Sequence, residues 1–346
     1  MEYRKLGNTD IPVSALCLGS MTWGQQNTRA EAFEQLDRAL ASGINFIDTA
    51  EMYPVPANAA TQGDTETIIG EWLNARARRD DVVIASKITG PGASTIDRGT
   101  CDYRAASIQR ALDDSLRRLQ TDYLDLYQLH WPARKSNFFG KLGFAPTDAE
   151  PDPAPAMLEV LESLQSMVDA GKIRSIGLSN ESAWGTMKFL ELAERHGLPR
   201  VVSVQNPYNL LNRSYEVGLA EVSHREQVGL LPYSPLAFGV LSGKYLGGEQ
   251  PENARLTLFD RFTRYTKDPG IRATEAYVNL ARDHELDPAQ MALQWVTQQP
   301  FVTSNIIGAT TMAQLESNIA SADLVLGDAV LEAIEEIHAE APNPCP

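Results

Sequence analysis

Cysteine is scarce in this chain. Only Cys17, Cys101 and Cys345 occur among 346 residues, far apart, with no CxxC and no Cys/His ligand spacing. That excludes a disulfide scaffold and a thiolate metal centre, and it reads as reduced thiols in a cytoplasmic protein. No apolar run approaches the roughly 20 residues that span a bilayer. The basic start, residues 1–7, is followed by no apolar segment, so no secretory signal is expected. Positive charge is also short: 30 Lys and Arg stand against 45 Asp and Glu, a net charge of -15. A nucleic-acid partner is therefore not expected, because phosphate backbones are bound by basic surfaces. No GxGxxG follows the first apolar run, which excludes a Rossmann site. The run 239–244 lacks the spacing of a phosphate-binding Walker loop, and Tyr245 stands where Ser or Thr would be needed.

What is present is a repeat of short apolar runs and amphipathic stretches. A small hairpin is read over residues 3–13. Strands are then expected at 14–18, 44–47, 82–85, 123–129, 173–178, 201–204, 228–231 and 302–307. Helices between them are expected at 29–42, 64–77, 104–119, 156–170, 184–196, 213–225, 271–284 and 289–298, with more after the last strand. Asp287-Pro288 supplies a cap and a first-turn proline. The strands are continuous apolar runs, as in a parallel sheet covered on both faces. Eight such units predict a (β/α)8 TIM barrel, one domain over residues 1–346, with a short N-terminal β-hairpin and long loops at the C-terminal face. The Pro-, Asp- and Ala-rich stretch 145–156 reads as an elaborated loop in the fourth connection.

In such a barrel the strand ends open on one face. Asp48 and Tyr53 follow the second barrel strand, Lys87 the third and His130 the fourth. Taken singly, each has a plainer reading: a turn cap, a loop aromatic, a solvated charge, a structural imidazole. Together they match the needs of carbonyl reduction, in which a developing alkoxide must receive a proton. Tyr has an ordinary pKa of about 10, and a neighbouring Lys⁺ is expected to lower it. Asp48 would hold Lys87 charged, and His130 would orient the carbonyl by hydrogen bonding its oxygen. The loops after strands seven and eight, 232–244 and 307–311, are rich in small and hydroxylated residues. They suit an anion, as the corresponding loops of barrels often do. Ser179, Asn180 and Gln205 suit a carboxamide, and Tyr233 a flat ring, although 205–208 alone would pass for an ordinary turn.

The stretches Gly43-Ile44-Asn45-Phe46-Ile47-Asp48-Thr49-Ala50 with Tyr53, Ile84-Ala85-Ser86-Lys87, Asp122 to His130, Gly177-Leu178-Ser179-Asn180, Gln205 to Asn209 and Tyr233-Ser234-Pro235-Leu236 resemble the aldo-keto reductase superfamily, in order along essentially the whole chain. The resemblance implies a metal-free oxidoreductase that binds NADP(H) without a Rossmann fold and reduces small aldehydes or ketones. It assigns the proton donor to Tyr53, supported by Asp48, Lys87 and His130. It carries nicotinamide contacts onto Ser179, Asn180, Gln205 and Tyr233. The pyrophosphate would lie along Ser234, Pro235, Leu236, Gly239, Leu241, Gly243 and Lys244. The adenosine 2′-phosphate end would lie near Gly308, Thr310, Gln314 and Asn318. The chain departs from the family pattern at Pro54, in the long loop 56–64 and in the long connection 131–156. No basic residue follows the last strand, so Arg255 or Arg261 is expected to supply that charge. Trp23, Trp131, Phe138 and Phe139 are expected as pocket walls for an apolar or aromatic carbonyl. Two other readings stand beside this one: a Schiff-base aldolase using Lys87, and an NADPH-binding regulatory or redox-sensing subunit with little turnover.

Overall fold

The computed structural model describes residues 1–96, 101–146 and 150–346; positions 147–149 of the predicted fourth-connection loop lie outside the described residues. A hairpin of β1 (Tyr3–Lys5) and β2 (Pro12–Ser14) precedes eight parallel strands. These are β3 (Leu16–Gly19), β4 (Phe46–Asp48), β5 (Val83–Ile88), β6 (Leu126–Leu129), β7 (Ile176–Ser179), β8 (Val201–Gln205), β9 (Gly229–Leu230) and β10 (Asn305–Ile307). They lie side by side in the order β10-β3-β4-β5-β6-β7-β8-β9. The two ends of that curled sheet meet. Leu230 bridges Val302, the Thr303 N–H donates to the Leu230 carbonyl at 2.8 Å, and the Ile306 N–H to the Pro232 carbonyl at 3.0 Å. The expected (β/α)8 barrel is the fold.

Helices alternate with the strands: α1 (Arg29–Ala41), α2 (Asp64–Arg76), α3 (Ala105–Leu119), α4 (Ala154–Asp169), α5 (Ala183–His196), α6 (Leu219–Glu226), α7 (Arg255–Leu258), α8 (Asp268–Asp283), α9 (Pro288–Thr297), α10 (Met312–Ala320) and α11 (Asp328–Glu340). The Asp287 side chain caps α9 by accepting from the Gln290 N–H at 2.9 Å. The helix expected over 213–225 is broken. A single 3-10 turn, Ser214–Val217, is separated from α6 by Gly218, whose backbone (φ -155, ψ -37) leaves the helical region.

Side chains alternate across a strand, so every second residue faces the barrel axis. Near the N-terminal ends those inward positions are apolar: Cys17, Phe46, Val83, Ala85, Leu126, Val202 and Ile306, sealed from below by Leu6, Ile11 and Val13 of the hairpin segment. Two residues further along the same faces the register turns polar. Phe46 is followed by Asp48, Ala85 by Lys87 and Leu126 by Gln128, and in β8 a register shift against β7 brings Gln205 in above Val202; all are buried. An apolar plug thus carries a polar layer at the C-terminal end. The larger apolar cluster fills the space between strands and helices.

Behind the polar layer, Glu66 of α2 ties three elements together. It accepts from Ser86 Oγ of β5 at 2.5 Å and from Arg118 of α3 at 2.6 Å, with no solvent exposure. The same helices touch at Gly70, where a Cβ would sit 2.1 Å from the Arg118 carbonyl oxygen and 2.8 Å from Leu119 Cα. Those atoms are backbone and cannot rotate away. Gly70→Ala is therefore expected to destabilise the fold by about 2–3 kcal/mol, the upper part of the range for overpacking, read as a lowered urea-unfolding midpoint.

Candidate active site

The C-terminal face of the barrel opens into a cavity of ≈ 1200 Å³. At its floor, Lys87 is buried completely and its ammonium donates to Asp48 Oδ2 at 2.7 Å, to the Thr49 carbonyl at 2.7 Å and to the Tyr53 hydroxyl at 3.5 Å. Lys87 lies inside β5 rather than beyond its end, because the strand runs on to Ile88. Asp48 is also held by Gln205 Nε2 at 2.8 Å and Gln128 Nε2 at 3.4 Å, and its own carbonyl accepts from Ser20 Oγ at 2.7 Å. Tyr53 and His130 pack edge to face with ring centres 6.0 Å apart, and Lys87 Nζ lies 4.9 Å from the Tyr53 ring centre. Three consecutive strands and the loop after β4 thus bring the four predicted groups into one cluster.

The electrostatics correct one expectation. Burial raises the pKa of Tyr53 and outweighs the opposing pull of Lys87⁺, so the phenol titrates above its ordinary value rather than below it. For Lys87, burial alone would lower the pKa, but Asp48 and Tyr53 together overcome it and the net shift is upward. His130 is pushed well below its ordinary value by burial and then by Lys87⁺. At neutral pH the cluster therefore holds an ammonium, a protonated phenol and a neutral imidazole.

Tyr53, His130 and Asp48 reach the cavity wall, while Lys87 sits behind it. The wall also includes Ser179, Asn180, Gln205, Tyr233, Ser234, Pro235, Leu236, Gly239, Lys244, Arg255, Gly308, Thr310, Gln314 and Asn318. Several of these lock one another. The Tyr233 hydroxyl donates to Asn180 Oδ1 at 2.7 Å, Asn180 Nδ2 donates to the His130 carbonyl at 2.9 Å, and Asn318 Nδ2 donates to the Gly308 carbonyl at 3.1 Å. Gln314 accepts from the Thr310 N–H at 2.9 Å across the start of α10.

Four expectations fail on direction. Leu241 is buried in the core and Gly243 packs toward Val278 of α8, so neither lines the cavity. Trp23 is fully buried, its indole N–H donating to Gln35 Oε1 of α1 at 3.0 Å, and it is no pocket wall. Phe138 packs edge-on to Phe139 away from the lining, whereas Trp131 and Phe139 do line it. Sequence reasoning missed Ser20, Gln128 and Arg264. A signal for Gln128 existed, since it is a lone amide within an otherwise apolar strand.

Lys244 and Arg255 are both cationic, both on the wall, and neither makes an ion pair among the described residues. Arg255 lies 5.7 Å from the Phe238 ring centre and 5.6 Å from that of Phe262. Burial lowers the pKa of each, and for Lys244 the Arg255 charge adds to it. Two desolvated, mutually repelling cations beside a left-handed turn at Gly239 (φ 90) suit a polyanion. Among the described residues no group of three His, Cys, Asp or Glu is placed to hold a metal ion, and no helix is long and apolar enough to cross a membrane.

Residues 15–339 match the Aldo/keto reductase family. The chain is 54% identical over 349 residues to "Protein tas" of Escherichia coli strain K12, covering 100% of both chains. It is 34% identical over 341 residues to "Uncharacterized oxidoreductase YrpG" of Bacillus subtilis strain 168, covering 97% of this chain and 96% of that one. It is 28% identical over 347 residues to "Norsolorinic acid reductase B" of Dothistroma septosporum, covering 97% and 81%. A barrel with this cluster at its mouth, matched almost end to end by such relatives, belongs to the aldo/keto reductase family and is an oxidoreductase.

Proposed function

We propose that the protein reduces small aldehydes or ketones to alcohols with NADPH, and that Tyr53 donates the proton. The observation that carries this reading is the buried hydrogen-bonded sequence Asp48–Lys87–Tyr53, with His130 beside the phenol. Bound NADPH supplies the hydride. Its phosphates fit the unpartnered Lys244 and Arg255 and the turn around Gly239; its amide end fits Ser179, Asn180 and Gln205. Arg255, rather than the more exposed Arg261, is the ligand we assign to the 2′-phosphate end, near Gly308, Thr310, Gln314 and Asn318.

The chain's own groups then divide the work. Neutral His130 hydrogen-bonds the substrate oxygen and fixes its angle. Tyr53 hands its proton to that oxygen as negative charge develops there. Lys87⁺ stabilises the tyrosinate left behind, and Asp48 keeps Lys87 in place and charged. A Schiff-base role for Lys87 is disfavoured: it would need an unprotonated amine facing substrate, whereas Lys87 sits behind the wall with a raised pKa. The same reading places the protein in the reducing cytoplasm, in keeping with buried Cys17 and Cys345, which form no disulfide.

Tyr53→Phe should lower turnover of any accepted aldehyde by about 10²–10⁴-fold, the usual contribution of a positioned acid, while NADPH still binds in a fluorescence titration. Full activity in that variant would remove Tyr53 from its role. Because Tyr53 loses its proton only above its ordinary value and His130 gains one only below its own, kcat/KM for reduction should be flat between about pH 7 and 9. A titration limb inside that interval would contradict the assignment. Arg255→Ala should weaken NADPH at least about tenfold, the effect of losing one charge-assisted contact, and leave NADH nearly unchanged. Equal losses for both would move Arg255 to the pyrophosphate.

A further inference from the structure

We propose that Arg264 grips an anionic group of the substrate, so that the preferred carbonyl compounds carry a carboxylate on a flat, apolar body. This rests on the reductive reading of the site and adds a substrate class to it. Arg264 lines the cavity, yet its Nη1 has almost no solvent contact and no hydrogen-bond partner. No carboxylate side chain among the described residues lies within ion-pair distance of it. Outside the cavity, the buried guanidinium groups of this acid-rich chain are matched. Arg118 meets Glu66, Arg134 meets Glu181, and Arg213 meets Glu216 and Glu335. A buried donor left open is rare in folded proteins and asks for an explanation.

Arg264 stands between Tyr233 and the Phe139-Gly140 turn of the cavity wall. Its guanidinium lies 5.9 Å from the Tyr265 ring centre and beside the phenols of Tyr233 and Tyr265, which offer no negative charge. On the other side it closes on the Phe139-Gly140 turn and Pro346: a Cβ on Gly140 would stand 3.1 Å from Arg264 Nε and 3.3 Å from the Pro346 carbonyl oxygen. An aromatic wall runs from the proposed acid to that turn. Tyr53 and His130 are 6.0 Å apart between ring centres, His130 and Trp131 5.1 Å, and Trp131 and Phe139 5.9 Å. A carbonyl held at Tyr53 and His130 would lay its body along Trp131 and Phe139 and bring its far end to Arg264. The planar guanidinium fork matches a carboxylate in shape and charge. A neutral analogue would leave the cavity-lining guanidinium without a counter-charge, which is how such sites discriminate.

The test compares 4-carboxybenzaldehyde with its methyl ester, and separately the binding of benzoate and benzamide to the full chain with NADP⁺ present, followed by tryptophan fluorescence. The wild type should favour the acid over the ester in kcat/KM, and benzoate over benzamide in affinity, each at least tenfold. Arg264→Gln should reduce both ratios at least tenfold, mainly through KM in the first case, and Arg264→Lys should restore part of each. Unchanged ratios in Arg264→Gln, or a parallel loss of NADPH affinity, would overturn the proposal. If neither aldehyde is turned over, the benzoate ratio still decides the role of Arg264, and that failure falls on the reductive reading alone.

Discussion

An ammonium cannot be buried without partners, and Lys87 has no solvent exposure at all. Asp48 and the Thr49 carbonyl satisfy it, each at 2.7 Å, and much of the surrounding architecture follows from that requirement. Asp48 must itself be fixed, so Gln205 and Gln128 reach it from β8 and β6 and Ser20 holds its backbone. Four strands and the loop after β3 therefore converge on one carboxylate. Removing either member of the ion pair would leave the other charged and unmatched, a situation that typically costs 3–5 kcal/mol. The pair is thus a structural commitment as much as a chemical one.

A second constraint is the contrast between surface and cavity. The chain carries a net charge of -15, yet Lys244, Arg255 and Arg264 stand on the cavity wall without carboxylate partners. Most other basic residues are consumed in pairs or networks, as where Arg79 and Arg174 flank buried Asp125. The unpaired cations off the cavity, such as Arg272 and Arg282, are exposed to solvent, whereas Lys244, Arg255 and Arg264 are partly buried on its wall. Beside low-dielectric protein walls such cations are less screened than on the open surface and attract anions more strongly.

The fold was legible because its signals are local and repetitive. Apolar runs of strand length, amphipathic helices and caps such as Asp287 can each be read without knowing what packs against them. The four clustered polar groups were legible because strand ends of a barrel share a face. Directions were not. Trp23 and Trp131 look alike on paper, but one is pinned to α1 through Gln35 and the other borders the cavity. Leu241 and Gly239 are neighbours in one loop and face opposite ways. The upward pKa shift of Tyr53 was illegible for a related reason: burial depth is a property of the assembled barrel, and here it outweighs the lysine beside it. Gly218 broke a predicted helix because helical periodicity continues across it while its backbone does not.

The order of the strands has a consequence for how the molecule is made. β3 pairs with β10, matching Cys17 with Ile306, and the N–H groups of Thr303 and Ile306, just before and within β10, donate bonds that close the ring onto β9 and the residue after it. A chain emerging from the ribosome can pair β3 through β9 in sequence, but it remains an open trough with two bare edges until the last strand arrives. Such edges invite pairing with other chains, and long-range closure is slow relative to local pairing. Ser304, whose hydroxyl donates to the Ser14 carbonyl at 2.6 Å, lies at that seam. The ring therefore cannot close before residue 307 has been made, and a ribosome stalled before β10 would release a chain with no enclosed cavity.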